Sequence, residues 1–217
     1  MKRLLRDNGL SLVLILLFVA FWAIQALAGW SVFNQDQQAH NEAPLAFGQY
    51  LLSAHFLEAT AENWESEFLQ MAAYVFLTAF LYQRGSAESK SPDNAEEVDF
   101  VPTRPGPEAP WPVRAGGWLR SLYGYSLSLA FLLLFLISLG VHIASGARLN
   151  NEERLAHGES EQTIMEYVSG SQFWFEAMQN WQSEFLAVFS IVILTIFLRQ
   201  KGSPESKPVA MPHTENP

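Results

Sequence analysis

The chain has 217 residues, a formal net charge of −9 and no cysteine. The acidic balance argues against nucleic-acid binding through a basic surface, and the missing thiols exclude disulfides, thiolate metal sites and cysteine nucleophiles. Charged residues make up 16% of the chain and aromatic residues 13%, with seven Trp among them. This mixture is more typical of a small membrane protein with polar loops than of a soluble domain.

Four apolar segments predict four transmembrane helices. Residues 10–28 and 123–144 are each long enough to cross a hydrocarbon core of roughly 30 Å. Two shorter runs become comparable spans, 64–82 and 181–198, when they are counted from Trp64 and Trp181. The first segment also resembles a cleavable leader, because a basic start precedes it and Ala-Leu-Ala ends it. A similar segment in mid-chain favours retention of the first helix.

The basic residues predict the orientation of these spans. Of the 13 Lys and Arg residues, only Arg148 and Arg154 fall in the loops that follow the first span of each pair. The other eleven lie near the two termini or in the stretch between the pairs. By the positive-inside rule, both termini and the central segment 91–117 are cytoplasmic.

The chain also matches itself at a constant offset of 117 residues. About 30 of the 82 positions from 9 to 90 are identical to their counterparts from 126 to 207, without a gap. The segment N-W-x-S-E-F-L occurs at 63–69 and again at 180–186. We therefore predict two tandem hairpin units, 1–90 and 118–207, in parallel orientation. A flexible cytoplasmic linker, 91–117, joins them, and a disordered tail, 208–217, follows.

This layout, with its repeated N-W-x-S-E-F-L segment, resembles a bacterial family of small multi-span membrane proteins that is known only as a domain of unknown function. The resemblance covers nearly the whole chain except the linker and the tail. It implies a bacterial inner-membrane location and brings no activity with it.

The outer loops of the two units have the pattern of amphipathic helices. Apolar residues recur at helical spacing in 43–65 and, more loosely, in 163–181. We predict an interfacial helix in each loop that lies on the outer membrane surface and then turns into the second span. The alternative is a helix that caps the bundle.

Polar residues near the outer ends of the spans form the candidate functional site. Gln25 and His142 lie at equivalent depth in the first span of each unit, and Glu67 and Glu184 begin the second spans. Paired ionisable groups at this depth often mark ion or proton paths. The remaining candidates are the matched amides and hydroxyls nearby: Asn63, Asn180, Ser66 and Ser183. The structural alternative treats the acids as first-turn residues, the amides and hydroxyls as helix caps, and Trp64 and Trp181 as interfacial anchors.

His40 and His157 are weak candidates for a metal site. Each has a carboxylate two residues on, Glu42 and Glu159, and this donor set suits zinc or another divalent cation. Two such residues in a loop do not make a site, and solvated loop histidines are the alternative. The chain has no P-loop, no G-x-G-x-x-G segment, no H-E-x-x-H and no G-x-S-x-G. We therefore expect neither an enzyme nor a bound cofactor.

The leading hypothesis from the sequence is a non-enzymatic, all-helical membrane protein with a structural or interaction role in the cell envelope. Its partners would be the lipid bilayer and, in a homodimer, a second copy, with no nucleic acid. The alternative is a small cation or proton conduit that uses the paired outer carboxylates.

Overall fold

The computed structural model describes residues 2–101 and 105–217. In this part of the chain there are eight α-helices, one short 3₁₀ helix at Glu97–Asp99 and no strand. The α-helices are α1 Lys2–Ala39, α2 Phe47–Tyr50, α3 Ala54–Thr78, α4 Trp111–Ala115, α5 Gly117–Gly124, α6 Ser126–Ala156, α7 Ile164–Ser169 and α8 Ser171–Phe197. The predicted linker includes residues 102–104, which lie outside the described residues.

Three helices are long and apolar enough to cross a membrane: α1, α6 and α8. Most of their large apolar side chains are exposed rather than packed in a protein core, as expected for surfaces that face lipid. The prediction of an all-helical protein with apolar membrane-length helices is thus confirmed at this level. Helix α3 is also long and contains most of the predicted span 64–82, but it is not among the three, so the fourth span stays a prediction.

The long helices continue well past the outer ends of the predicted spans. Helix α1 runs eleven residues beyond residue 28, and α6 runs twelve beyond residue 144. Helices α3 and α8 begin ten residues before Trp64 and Trp181. No glycine or proline interrupts α3 or α8, so neither helix turns at its tryptophan. The predicted interfacial helices 43–65 and 163–181 are therefore replaced by the short helices α2 and α7, followed by the continuous starts of α3 and α8.

The same contacts recur in the two outer loops at positions 117 residues apart. The side chain of Asn34 donates to the carbonyl oxygen of Leu45 and accepts from its N–H. Asn151 holds the backbone of Gln162 in the same way. These bidentate bridges tie each loop to the end of the helix that precedes it.

A tyrosine lies over a glycine in each half. A Cβ atom added to Gly29 would lie 2.3 Å from the hydroxyl of Tyr50, and one added to Gly146 would lie 2.3 Å from that of Tyr167. Each tyrosine also packs against a buried phenylalanine. The glycines thus make room for the two largest buried side chains of the outer loops.

Helix α3 packs most extensively against α6 and then against α8. Several buried residues of α3 and α6 are small, and small residues let helix backbones approach closely. On α3 they are Ala54, Ala61, Ser66 and Ala72, and on α6 they are Ser138, Ser145, Gly146 and Ala147.

The tail, which the sequence predicts to be disordered, folds back onto the loop that follows α3 and onto the C-terminal end of α8. The side-chain amide of Asn216 donates to the carbonyl oxygens of Gln83, Ser86 and Ser89 and accepts from the N–H of Gly85. The ammonium of Lys207 is buried and donates to three carbonyl oxygens of residues 212–215. Hydrogen bonds to backbone carbonyl groups hold this segment in place, and such contacts cannot be predicted from amino-acid composition.

Candidate functional site

Three glutamates lie on one face of α3 in its N-terminal half. Glu58, Glu62 and Glu65 are four and three residues apart, a spacing that stacks side chains along one side of a helix. Burial increases along this row: Glu58 and Glu62 are half-buried, and Glu65 is completely buried. Glu67, two residues further on, is turned away and exposed.

The row of glutamates meets a buried histidine of α6. His142 has no exposed surface, and its Nδ1 atom lies 3.1 Å from Oε2 of Glu65. Its ring packs against the ring of Phe173 on α8, with the centroids 5.3 Å apart. His142 is thus fixed between α3 and α8, with one ring nitrogen facing a carboxylate.

Side chains of α8 hold the carboxylates of α3. The indole N–H of Trp181 donates to Oε1 of Glu65 over 3.2 Å. The side-chain amide of Asn180 donates to Oε1 of Glu62. Trp181, predicted as an interfacial anchor, therefore also orients a buried carboxylate.

A fourth carboxylate, that of Glu176 on α8, lies on the other side of His142. Its Oε2 atom accepts from the hydroxyl of Tyr167 over 3.1 Å, and its Oε1 atom accepts from the amide of Gln172. The same Oε2 atom lies 3.9 Å from Nε2 of His142, which is too long for a hydrogen bond. The Nε2 atom is buried and has no hydrogen-bond partner among the described residues.

Glu58 completes a group of three possible ligands that includes His142 and Glu176. One carboxylate oxygen of Glu58, one of Glu176 and one ring nitrogen of His142 all lie within 4.8 Å of one another. We call Glu58, Glu62, Glu65, His142 and Glu176 the acid cluster. It contains four carboxylates and one imidazole, and no described lysine or arginine forms an ion pair with any of them.

The electrostatic surroundings favour a neutral carboxyl at the outer edge of the cluster. Burial, reinforced by Glu62 and Glu176, raises the pKa of Glu58 to about 7. Burial likewise raises the pKa of Glu62 and that of the Tyr167 hydroxyl, and in both Glu176 adds to the effect. Negative charge without a matching cation is therefore unfavourable here, and a proton or a bound cation relieves it.

Of the sequence-predicted polar residues, only His142 belongs to the acid cluster, and Asn180 contacts it through Glu62. Gln25 is exposed on α1, and Glu67 and Glu184 lie outside the cluster. Asn63, Ser66 and Ser183 each donate to a carbonyl oxygen of their own helix. The alternative in which these residues cap the helices is wrong, because α3 begins after Ser53 and α8 after Gly170.

The two weak metal candidates lie elsewhere. His40 and His157 are exposed residues at the ends of α1 and α6, and each Nδ1 atom lies within 3.0 Å of a carbonyl oxygen of its own helix. Neither belongs to the acid cluster. Metal binding by these residues stays a prediction.

Sequence reasoning missed four of the five residues in the acid cluster because it searched for residues shared by the two halves. Every member of the cluster differs from its counterpart 117 residues away. The counterparts of Glu58, Glu62, Glu65, His142 and Glu176 are Phe175, Gln179, Gln182, Gln25 and Ala59, respectively. The spacing of the three glutamates on α3 could have been recognised in the sequence as one polar helix face. No sequence pattern indicated that Glu176 would join them.

Comparison with known proteins places the chain in a family. The family model described as "Domain of unknown function (DUF6766)" matches residues 1–216. The chain belongs to the DUF6766 family. The expectation of a family of unknown function is thereby confirmed, while the bacterial and inner-membrane character inferred from the resemblance is not tested. No curated protein and no solved structure matches this DUF6766 chain.

Proposed function

We propose that this chain is a non-enzymatic, multi-pass protein of the bacterial inner membrane that binds a cation at the outer end of its helices. Four spans arranged as two tandem parallel hairpins, with cytoplasmic termini, would place the acid cluster at the outer boundary. His142 and Glu65 lie within two residues of the predicted span ends, and Glu58 lies six residues outside Trp64. At 1.5 Å per residue, Glu58 is about 9 Å beyond that boundary and within reach of the aqueous phase.

The observation that carries this proposal is the charge of the acid cluster. Four carboxylates surround one imidazole, and no lysine or arginine in the described residues pairs with them. Burying like charges without compensation is costly, so such a group is stable only when protons or a cation neutralise it. A purely structural role gives no reason for this arrangement, because the counterparts in the other half are uncharged.

Thermal unfolding in detergent, measured for a panel of monovalent and divalent cations against a chelator, tests cation binding. A cation present at about 100 times its Kd stabilises the folded state by about 2.7 kcal/mol, which raises the Tm by about 5–10 °C for a chain of this size. The rise should vanish in the double variant Glu58→Gln with Glu176→Gln. It should persist in the matched control Glu67→Gln with Glu184→Gln, which removes two carboxylates outside the cluster. A wild type that responds to no cation contradicts the proposal.

The membrane topology has its own test. Reporter domains inserted near Asn94 and fused after Pro217 should both report the cytoplasm. A periplasmic signal from either position contradicts the proposed orientation. The acid cluster would then not lie at the outer boundary.

A line of polar side chains along α3 favours a second candidate, a proton or cation conduit. Every fourth residue from 58 to 78 is polar, namely Glu58, Glu62, Ser66, Gln70, Tyr74 and Thr78. Ser66 and Gln70 are buried, and the hydroxyl of Tyr74 donates to a carboxylate oxygen of Glu88 near the inner end. In α8 the corresponding line is broken by Ala187 and Ile191.

Proton flux into liposomes separates the conduit from simple binding. A conduit requires flux above that of protein-free liposomes, with loss of the flux in Gln70→Leu. The control Ala187→Leu, at the equivalent position of α8, should leave the flux unchanged. Absence of flux in the wild type excludes the conduit and leaves cation binding intact.

A further inference from the structure

We infer that the acid cluster is a site for a single divalent transition-metal ion of the zinc class, with Glu58, His142 and Glu176 as its protein ligands. This inference rests on the proposed cation-binding function and specifies the ion. One ligand atom from each of the three residues lies within 4.8 Å of the others. The Nε2 atom of His142, fully buried and without a hydrogen-bond partner among the described residues, faces this group.

The surroundings of His142 prepare its Nε2 atom for a metal. Among the described residues neither ring nitrogen of His142 makes a hydrogen bond, but Oε2 of Glu65 lies at an ion-pair distance of 3.1 Å from Nδ1, and its charge favours a proton on Nδ1. Nε2 then keeps a free lone pair, and the Oε2 atom of Glu176 is 3.9 Å away from it. A carboxylate behind the distal nitrogen of a ligating histidine is the usual arrangement in zinc sites, where it fixes the ring and raises its basicity. Glu65 is therefore a positioning residue and not a ligand.

The other contacts in the acid cluster fix the carboxylate of Glu176 and leave that of Glu58 free to rotate. Tyr167 and Gln172 each donate to one oxygen of Glu176 and so orient its carboxylate. Bonds of about 2.1 Å in a tetrahedral site place ligand atoms about 3.4 Å apart, so the three atoms need to close by about 1 Å. Glu58 is half-buried, and within the described part of the chain its carboxylate makes no hydrogen bond that such a rotation would break.

The donor set distinguishes the class of ion. Calcium and magnesium bind oxygen ligands almost exclusively, whereas zinc and its neighbours in the first transition row accept imidazole readily. The structure places a histidine at the centre of the carboxylates, where a site for calcium or magnesium would have a further oxygen. One ion per chain is expected, because Gln25, Ala59 and Phe175 replace the three ligands in the other half.

Calorimetric titration of the purified full chain with Zn²⁺, and with Co²⁺ as a spectroscopic probe, tests the inference. We expect one ion per chain, a visible Co²⁺ spectrum of a tetrahedral site, and much weaker binding of Ca²⁺ and Mg²⁺. His142→Gln should weaken Zn²⁺ binding by at least 100-fold. Glu65→Gln should weaken it by about 10- to 100-fold, the usual effect of losing an orienting partner. The control His213→Gln, which changes an exposed histidine outside the acid cluster, should bind as the wild type does.

Several results would overturn the zinc-class site. Zinc binding that survives in His142→Gln rejects it, as does a stoichiometry of two. Should His142→Gln fail to fold, X-ray absorption at the zinc edge of the wild type decides, since a shell of oxygen ligands alone excludes the histidine. Stabilisation by Ca²⁺ or Mg²⁺ that does not depend on His142 rejects the ion class but leaves the proposed function standing. No response to any cation rejects both.

Discussion

The Oε2 atom of Glu65 lies 3.1 Å from the Nδ1 atom of His142, and neither side chain has any exposed surface. The two residues come from different helices, α3 and α6, and are 77 positions apart in the chain. Because a buried charge is costly without its partner, this pair links the packing of α3 on α6 to the chemistry of the acid cluster.

Removal of one partner from this pair should destabilise the protein strongly. Glu65→Ala leaves His142 without its carboxylate and Trp181 without its acceptor, so we expect a loss of about 3–5 kcal/mol. Glu65→Gln keeps an acceptor for Trp181 and should cost about 1–2 kcal/mol. Unfolding in detergent, followed by tryptophan fluorescence, measures both. Gln182→Ala, at the exposed equivalent position of α8, is the control and should change stability by less than about 0.5 kcal/mol. Equal losses for Glu65→Ala and Gln182→Ala would contradict the buried pair.

Gly146 should not tolerate a side chain. A Cβ atom there would lie 2.3 Å from the hydroxyl of Tyr167, which itself orients Glu176. We expect Gly146→Ala to cost about 1–3 kcal/mol through overpacking. Gly140→Ala, on the same helix with nothing within 4 Å of the added atom, should be neutral or slightly stabilising, since alanine favours helix. A comparison of their Tm values checks this, and a stable Gly146→Ala would refute the close contact with Tyr167.

The packing of the first outer loop should weaken in mild acid. Burial lowers the pKa of His55, and the nearby carboxylates of Asp36 and Glu153 only partly oppose this effect. The unfolded chain therefore takes up the proton more readily, and the contribution of neutral His55 to stability is lost as the pH falls from about 6.5 through its folded pKa. Glu58, whose pKa is raised to about 7, acts in the opposite direction over this range, so the contribution of His55 is measured as the Tm difference between the wild type and a His55 variant at pH 7.5 and at pH 5.

His55→Gln separates this effect from other titrations. Glutamine occupies the equivalent position, 172, in the other half, and it does not titrate. As the pH falls from 7.5 to 5, the Tm of the variant should rise relative to the Tm of the wild type. Parallel pH profiles for the two proteins would show that His55 has no part in the acid sensitivity.

Asn216 should hold the tail against the loop that follows α3. Its side chain joins the tail to the loop that contains Gly85 and Ser89. We expect Asn216→Ala to release the tail, with faster amide exchange in residues 83–90. Thr214→Ala, which changes an exposed residue of the same segment, is the matched control. If both variants retain the exchange rates of the wild type, Asn216 does not anchor the tail.

The sequence determined the helical class and the apolar lengths of α1, α6 and α8, because a run of apolar residues long enough to cross a bilayer is a one-dimensional property. It also pointed to His142, which stands out as an ionisable residue in an apolar segment. The polar row on α3 made that helix harder to interpret, since Glu58, Glu62 and Glu65 lower its hydropathy while lying on a single face.

Only the tertiary structure decided which polar residues meet. Glu67 and Glu65 are two positions apart, yet the rotation of about 100° per residue in a helix turns one toward solvent and the other toward His142. Glu176 enters the cluster because α8 packs against α3, a relationship that depends on the shapes of both helices and not on any spacing along the chain. Helical phase and helix packing are properties of the folded chain, and they placed the candidate site where the two halves of the sequence differ.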